Sequence, residues 1–392
     1  MTQPIMVGCD LHDRSMLLKV ARGLEEPLTM TVMNTAAGRQ KMIEQLVALA
    51  AGGEVILAYE ASGQGFGLHD QLTAAGIKCF VLAPTKLIRS PRQSRQKTDE
   101  KDALDLLELL RGHVLAGNRL PKVWIPDPQT RDDRELVRAR LDLSDKQTAL
   151  KTQIKGLLKR HGVTRPESTG QGWTVKYRAW LREVTAAQQP GVGARVALGS
   201  LLRQLETIEK EIAELELRLA GELAWSPRYA AAVRELVKLP GVGVLTALVF
   251  LTEIGDLSRF MNRRQISAYL GLAPSSHESG QTSDRKGHIT RQGPARVRRV
   301  LCQAAWCRAW IGKDRGDQSG HDKDRGDGCD TQRGATTVYQ RLVAKNPRRK
   351  KIAVVAAMRQ LAVLMWHRGR DALQPATSRE PARREACCAP AG

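Results

Sequence analysis

The first 82 residues alternate short apolar runs with amphipathic segments, and this alternation constrains the fold more than any other feature. Apolar runs cover residues 5–10, 15–21 and 28–33, and the polar breaks between them are typical of a β-meander. A helical pattern at 37–51, a strand at 54–59, a turn with a helix at 62–75 and a strand at 77–82 follow. Alternating strands and helices predict an α/β domain with a mixed sheet covered by helices.

Four acids lie at element ends in this domain: Asp10, Glu60, Asp99 and Asp102. Asp10 closes the first strand, Glu60 follows an apolar strand, and Asp99 and Asp102 share one face of a predicted helix because they are three residues apart. Mg²⁺ prefers carboxylate oxygen, and two such ions can stabilise the attacking and leaving oxygens of a phosphoryl transfer. Any one of these acids is more often a strand end or a helix cap, so the predicted divalent metal site rests on the set.

The charge of the chain indicates a polyanionic partner. Lys and Arg number 62 against 41 Asp and Glu, which gives a formal charge of +21, and this surplus favours DNA or RNA. Six of these basic residues and no acid lie between residues 71 and 98, directly before Asp99. No apolar run of eighteen residues and no signal segment is present, so we expect a cytoplasmic, nucleoid-associated protein without a membrane partner.

Cysteine and histidine spacing gives weaker signals. The seven cysteines have no Cys-x-x-Cys spacing and are expected to be reduced thiols. A zinc site formed by Cys302, Cys307, Cys329 and His321 is a less favoured alternative because the spacing is irregular. The histidines at 12, 69, 113 and 288 show no metal-ligand spacing, and most of them are expected to be ordinary surface or core residues.

After a proline-containing linker at 121–128, apolar residues repeat with a helical period. The repeats are Leu136, Leu143, Leu150 and Leu157, and then Leu198, Leu201, Leu205, Ile208, Ile212, Leu215 and Leu219. Such seams are typical of a coiled coil, and we expect a helical hairpin that also dimerises, interrupted by a Gly/Pro-containing stretch at 161–195. Two amphipathic helices packed on a globular core are the alternative.

The segment LPGVGVLTA at 239–247 matches a helix-hairpin-helix loop. Gly241 and Gly243 would let backbone amides approach a nucleic-acid phosphate without an intervening side chain. A plain helix N-terminus after a tight turn is the alternative. The final helix is predicted at about 350–369, and the polar segment at 313–334 is expected to be a mobile loop or an insertion.

Serines and basic residues are concentrated in the same C-terminal region. The serines are Ser275, Ser276, Ser279 and Ser283. The candidate phosphate-binding residues are Arg285, Lys286, Arg291, Arg296, Arg298 and Arg299, followed by Arg348, Arg349, Lys350 and Lys351. A serine among guanidinium groups could attack a phosphodiester, and a phosphate-binding loop without covalent chemistry fits the same composition.

Taken together, these motifs resemble the DEDD transposases of bacterial insertion sequences, which are related to Piv-type DNA invertases. The N-terminal resemblance is carried by GCDLHDRS around Asp10, AYEASG around Glu60 and KTDEKDA at 97–103. The C-terminal resemblance is carried by LPGVGVLTA, YLGLAPSSHESG, GHITRQGPARVRRVL and KKIAVVAAMRQLAVLMW. The two motif sets span most of the chain in the family's order.

The resemblance implies an RNase H-like, RuvC-like domain at 1–125 that holds Mg²⁺, or alternatively Mn²⁺, on Asp10, Glu60, Asp99 and Asp102. It also implies a coiled-coil linker at 130–228, a mostly α C-terminal domain at 230–370 and a disordered tail at 371–392. Ser279, in the Ser-Gly pair, would form a covalent link to DNA. The implied partners are element ends and target DNA, a structured RNA encoded by the element, and further copies of the chain as a dimer or tetramer.

Three functions fit these motifs. The first is a transposase that cleaves and exchanges DNA strands with the four acids and Ser279. The second is a metal-dependent junction nuclease in which water is the nucleophile and Ser279 has no covalent role. The third is a nucleic-acid-binding relative without catalytic activity.

Overall fold

The computed structural model describes residues 3–87, 98–188, 190–276, 286–314 and 333–374. The chain forms two compact units, Met1–Ile125 and Pro126–Gly392. The boundary lies inside the proline-containing linker, where the chain leaves the sheet of the first unit. The further division of the second unit near residue 230 stays a prediction.

The first unit is built on a five-stranded mixed sheet. Its strands are β1 (Ile5–Leu11), β2 (Ser15–Arg22), β3 (Leu28–Met33), β4 (Val55–Glu60) and β5 (Lys78–Leu82). They lie in the order β3-β2-β1-β4-β5. The meander β1–β2–β3 is antiparallel, whereas β4 and β5 run parallel to β1. Parallel neighbours need a helical crossover, and α1 (Ala36–Ala50) and α2 (Gly67–Ala74) provide these connections.

Side chains on the central strands alternate between two apolar layers because successive residues point to opposite faces. One face of β1 and β4 packs under α1 and α2, with Val7, Leu57 and Met42 in this layer. The other face packs against α3 (Asp99–Ala116), where Met6 and Ala58 join Leu107 and its neighbours. The sheet of the first unit is therefore covered on both faces.

Gly8 sets how closely α3 approaches the sheet. A β-carbon at this position would lie 2.1 Å from the Ala103 carbonyl oxygen and 2.4 Å from the Leu107 amide nitrogen. Only glycine allows this backbone-to-backbone contact. The contact holds the second turn of α3 and the start of the third beside the middle of β1.

The second unit begins with long helices. Asp127 caps α4 (Pro128–Arg160) by accepting a 2.9 Å hydrogen bond from the Thr130 amide, and Pro128 occupies the first turn. Helix α6 (Val192–Gly221) runs antiparallel to α4, as shown by the Gln147–Glu209 hydrogen bond of 3.1 Å and the Arg140–Glu216 ion pair. The residues of α6 that recur every seven positions are buried: Leu198, Leu205, Ile212 and Leu219.

Between these helices the expected irregular stretch contains α5 (Val175–Ala186). Its apolar residues Tyr177, Leu181 and Val184 recur at helical spacing and pack with Leu150 and Leu157 of α4. The segment therefore adds a third helix to one end of the pair, which the Gly/Pro content had obscured.

The remaining elements form a mostly helical C-terminal region. They are α7 (Ala230–Leu236), α8 (Val244–Ile254), α9 (Arg263–Tyr269), β6 (Pro274–Ser276), β7 (Lys286–Ile289), α10 (Ala295–Asp314), α11 (Arg333–Lys345) and α12 (Lys350–Leu373). Their core surrounds α8, in which Leu248, Val249 and Phe250 are fully buried, and it includes Trp366 of α12. None of the helices in the described ranges combines the length and apolar character that crossing a bilayer requires.

The expectation of an N-terminal mixed α/β sheet followed by mostly helical structure is confirmed. The last helix continues to Leu373, past the expected start of the tail at 371, and residues 375–392 lie outside the described residues. Most of the segment at 313–334 also lies outside the described residues.

Candidate metal centre and nucleic-acid interface

Asp10 and Glu60 lie side by side because of strand register. Strands β1 and β4 are parallel neighbours in which Cys9 pairs with Tyr59, and the two acids come one residue later on each strand. The carboxyl ends of neighbouring parallel strands lie about 4.8 Å apart. Because successive side chains of a strand point to opposite faces of the sheet, both carboxylates face α3, and Cys9 and Tyr59 face the other side.

Helix α3 brings the second pair of acids to the same edge. Its N-cap is Thr98, whose hydroxyl accepts a hydrogen bond from the Lys101 amide, and Asp99 and Asp102 lie in its first turn. Asp102 is 8% exposed, whereas the side chain of Asp99 is 60% exposed. The inner acid thus lies against the sheet and the outer one faces solvent.

The electrostatics of Asp10 reflect this crowding. Burial raises the pKa of Asp10, and the nearby carboxylates Asp102 and Asp99 raise it further, while His12 opposes the rise. Asp102 and Glu60 also line one open cleft of about 300 Å³, together with Asp105 and Glu108 farther along α3. A cation placed among these carboxylates would relieve their mutual repulsion.

His12 lies beside two of these acids, a position that the spacing between the histidines gave no reason to expect. Its Nε2 atom lies 3.0 Å from Oδ2 of Asp10 and 3.3 Å from Oδ1 of Asp99. Among the described residues, these three supply a set of donor atoms within 4.8 Å of one another, and Glu60 and Asp102 are not part of that set. Burial acts to lower the pKa of His12, but Asp10 and Asp99 outweigh burial, so the pKa is raised.

A sequence signal for His12 existed. Residues two apart on a strand share a face, and His12 follows Asp10 by two positions at the end of β1. This signal was missed because the histidines were compared only with one another, and the spacing between them has no metal-ligand pattern.

Comparison with known proteins decides the family. Residues 7–162 match the family model described as "Transposase" of the DEDD type, and residues 233–319 match the "Transposase IS116/IS110/IS902 family". The "Putative transposase y4qE" of Sinorhizobium fredii is 33% identical over 343 residues, which cover 86% of this chain and 80% of that protein.

The chain belongs to the IS110 family of transposases. The "Transposase for insertion sequence element IS1111A" of Coxiella burnetii is 26% identical over 68% of each chain. The "Transposase for insertion sequence element IS1533" of Leptospira borgpetersenii is 24% identical over 78% of this chain and 86% of that one. Membership implies that the chain is an enzyme that cleaves or recombines DNA and therefore binds DNA. This family typically uses a divalent metal.

In this transposase, Gly241 and Gly243 lie in the connection between α7 and α8. Gly241 has φ +82°, a left-handed conformation that favours glycine. Gly243 is the N-cap of α8 and has no side chain to accept a hydrogen bond from the first turn. A β-carbon at this position would meet no atom within 4 Å. The space beside Gly243 at the start of α8 is therefore open, as the helix-hairpin-helix prediction requires.

The basic residues after the serine motif are largely engaged in internal contacts. Arg296 and Arg299 pair with Asp142 and Asp145 of α4 at 3.0 and 2.6 Å. Arg298 donates to the carbonyl oxygens of Leu270, Gln292 and Gly293. These three arginines hold α10 in place, and only part of their charge is available to a nucleic acid.

Two more of the candidate phosphate-binding residues, Lys286 and Arg291, lie at or near β7. Arg291 lies in a left-handed conformation with φ 56° after β7, and Lys286 opens β7. Ser279, Ser283 and Arg285 lie outside the described residues, as do Cys329 and His321 of the alternative zinc site. Cys302 is half-buried and Cys307 is exposed.

A basic cluster, defined as Arg348, Arg349, Lys350 and Lys351, lies at the start of α12. All four residues are exposed, and within the described ranges no ion pair joins them to an acid. Asn346 caps the short turn at Pro347–Arg349 by accepting a hydrogen bond from the Arg348 amide at 3.0 Å. The cluster concentrates four charges beside a helix N-terminus, an arrangement that attracts phosphate.

Proposed function

We propose that this transposase cleaves and exchanges DNA strands at a divalent metal site formed by Asp10, Glu60, Asp99 and Asp102. The observation that carries the proposal is the register of β1 and β4, which turns Asp10 and Glu60 to the face against which the start of α3 packs. The close contact at Gly8 keeps that helix near enough for Asp99 and Asp102 to reach the same edge.

The topology supports an RNase H-like, RuvC-like first unit. The strand order β3-β2-β1-β4-β5, with an antiparallel meander and two parallel strands, is the arrangement expected for such a domain. In such a domain the helix after β5 would supply the last two acids, and Asp99 and Asp102 lie in the first turn of α3. The paired helices α4 and α6 are the proposed coiled-coil linker.

The donor set suits Mg²⁺ or Mn²⁺ because hard cations of this size take carboxylate oxygen. When bound, such ions stabilise the charge on the attacking and leaving oxygens of a phosphoryl transfer. Asp10 and Glu60 would hold the ion from the rigid sheet, and Asp99 and Asp102 would hold it from the helix. Because Asp99 is largely exposed and Asp102 is buried, Asp99 lies on the side that DNA can reach.

Ser279 is the proposed nucleophile, on the basis of the Ser-Gly pair in the family-like motif. Its hydroxyl oxygen would bond to phosphorus while the bond from phosphorus to the departing nucleotide oxygen breaks. The serine proton passes to a base, and the departing oxygen takes up a proton. We also propose that a structured RNA encoded by the element is a partner, and that a dimer or tetramer of the chain holds two DNA duplexes together. A relation to Piv-type invertases is part of the same proposal.

The carboxylate part is tested with labelled element-end DNA, the element's RNA and Mg²⁺. Asp10→Asn and Asp102→Asn are expected to lower strand cleavage at least 100-fold, while Asp105→Asn retains it. Asp105 is a matched control because it lies one turn beyond Asp102 and lines the same cleft. Unchanged cleavage by Asp10→Asn would remove the metal site from the mechanism.

The serine part is tested by denaturing electrophoresis of the same reactions. Wild type should give a covalent protein–DNA adduct, and Ser279→Ala should give none, while the neighbouring Ser283→Ala does. Cleavage that survives Ser279→Ala but not Asp10→Asn would identify a junction nuclease that uses water. DNA binding that is steeply salt-dependent, without cleavage by any form, would identify a non-catalytic relative.

A further inference from the structure

The imidazole of His12 faces two of the four acids although nothing in the family resemblance places it there. Its Nε2 atom is 3.0 Å from Asp10 and 3.3 Å from Asp99. Asp10 belongs to the sheet and Asp99 to α3, so the ring bridges the two elements that form the site. The side chain of His12 is 45% exposed, which leaves its position open to an incoming ion.

The backbone of His12 is held by hydrogen bonds that do not involve the two carboxylates. The His12 amide donates to the Ser15 carbonyl at 3.0 Å, which closes the turn between β1 and β2. The side-chain amide of Asn34 donates to the His12 carbonyl oxygen at 2.7 Å. Asn34 is itself held, because it accepts from Arg39 at 2.6 Å and donates to Gln64 at 2.9 Å.

This network reaches the turn by a second route. The Gln64 side chain donates to Asp13 at 3.1 Å. Asn34, after β3, and Gln64, after β4, therefore both form hydrogen bonds to the residues that follow Asp10. A functional side chain whose backbone is held on several sides is preorganised. The backbone of His12 therefore stays beside the two acids whether the ring contacts the carboxylates or a cation.

We propose that His12 is a ligand of the divalent cation held by Asp10 and Asp99, and that it biases the site toward Mn²⁺ over Mg²⁺. The inference rests on the proposed function, since it takes this edge of the sheet to be the metal site. Mg²⁺ strongly prefers oxygen ligands and keeps its waters, whereas Mn²⁺, although the weakest binder among the first-row divalent metals, accepts an imidazole nitrogen more readily than Mg²⁺ does. A site of two carboxylates and one imidazole therefore distinguishes the two ions through a single side chain.

Mn²⁺ binding to the purified full-length protein tests the proposal without any measurement of activity. Pulsed electron paramagnetic resonance of the Mn²⁺ complex should show modulation from a directly bound ¹⁴N nucleus. His12→Ala should abolish this modulation and weaken Mn²⁺ binding at least tenfold, since even the loss of a residue that only orients a metal ligand costs about 10- to 100-fold in affinity. Mg²⁺ affinity, measured by competition, should change less than about threefold because it depends on oxygen ligands.

Two further variants make the outcome decisive. His69→Asn is the matched control, since His69 also contacts an aspartate, Asp70 at 3.3 Å, but lies outside the three-residue donor set. It should keep the nitrogen signal and both affinities. His12→Gln retains a polar side chain at the turn, and it should lose the signal while its circular dichroism stays that of wild type.

The failure of this inference differs from failure of the proposed function. If Asp10→Asn abolishes Mn²⁺ binding but His12→Ala binds Mn²⁺ as wild type does, the carboxylate site stands and the role of His12 is overturned. If wild-type protein binds neither ion, both proposals fall. A ¹⁴N signal that persists in both His12 variants would likewise assign the nitrogen ligand to another residue.

Discussion

Gly8 of β1 lies so close to Ala103 of α3 that a β-carbon on Gly8 would be 2.1 Å from the Ala103 carbonyl oxygen. The opposing atoms belong to helix backbone and cannot rotate away. The site depends on this contact because Asp10 lies two residues after Gly8, and Asp99 and Asp102 lie in the turn before Ala103.

Gly8→Ala is therefore expected to destabilise the first unit by about 1–3 kcal/mol, the usual range for overpacking, and to lower Mn²⁺ affinity by displacing α3. Thermal unfolding followed by circular dichroism measures the first effect, and metal titration measures the second. Gly63→Ala is the control, since a β-carbon at Gly63 meets no atom within 4 Å. Equal melting temperatures for Gly8→Ala and Gly63→Ala would contradict this account of the helix position.

Arg138 of α4 forms a two-pronged ion pair with Glu253 of α8, at 2.7 and 2.9 Å. Glu253 is 6% exposed, so Arg138→Met leaves a buried carboxylate without its main counter-charge. A loss of about 3–5 kcal/mol is expected, read from the urea unfolding of the second unit by tryptophan fluorescence.

Lys238→Met provides the comparison for this prediction. Lys238 and Glu235 are 59% and 40% exposed, and removing one partner of an exposed pair costs about 0–1 kcal/mol. If both substitutions had the same small effect, Glu253 would be hydrated in solution rather than buried.

The sequence predicted the placement of the acids where local periodicity determines it. Asp10 and Glu60 were expected near the ends of apolar strands, where β1 and β4 carry them, and Asp99 and Asp102 were expected on one face of a helix. Contacts between distant segments could not be read in this way. Arg296 was expected to bind phosphate, yet it pairs with Asp142, which is 154 residues away, and no local pattern encodes that neighbour. His12 combines both situations. Its spacing of two residues from Asp10 could be read from the sequence, whereas its contact with Asp99 on a distant helix could not.

Glu209 of α6 joins three helices, since it accepts hydrogen bonds from Arg178 of α5 at 2.8 Å and from Gln147 of α4 at 3.1 Å. The bond from Arg178 lowers the pKa of Glu209, against burial, which acts to raise it. A carboxyl whose folded pKa is depressed stabilises the fold above its unfolded pKa of about 4.3, and this contribution disappears as pH falls through the folded pKa.

Wild type should therefore lose more unfolding free energy than Arg178→Gln when the pH is lowered from about 6 to about 3, as measured by urea denaturation at each pH. Arg182→Gln is the control because Arg182 and its partner Glu206 are 63% and 46% exposed. Parallel pH profiles for wild type and Arg178→Gln would show that the bond to Glu209 does not persist in solution.

The basic cluster at Arg348–Lys351 and the arginines of α10 differ in how much of their charge is available to nucleic acid. Substituting all four residues of the basic cluster by Gln should weaken binding to duplex DNA and reduce the slope of log K against log salt by about 0.9 for each phosphate that the protein no longer neutralises. Arg296→Gln with Arg299→Gln should change the slope less, because Asp142 and Asp145 already neutralise these guanidinium groups. Fluorescence anisotropy between about 50 and 200 mM salt gives both slopes. A larger change for the α10 pair than for the basic cluster would mean that DNA displaces α4 acids from Arg296 and Arg299, which would make α10 the principal DNA-binding surface.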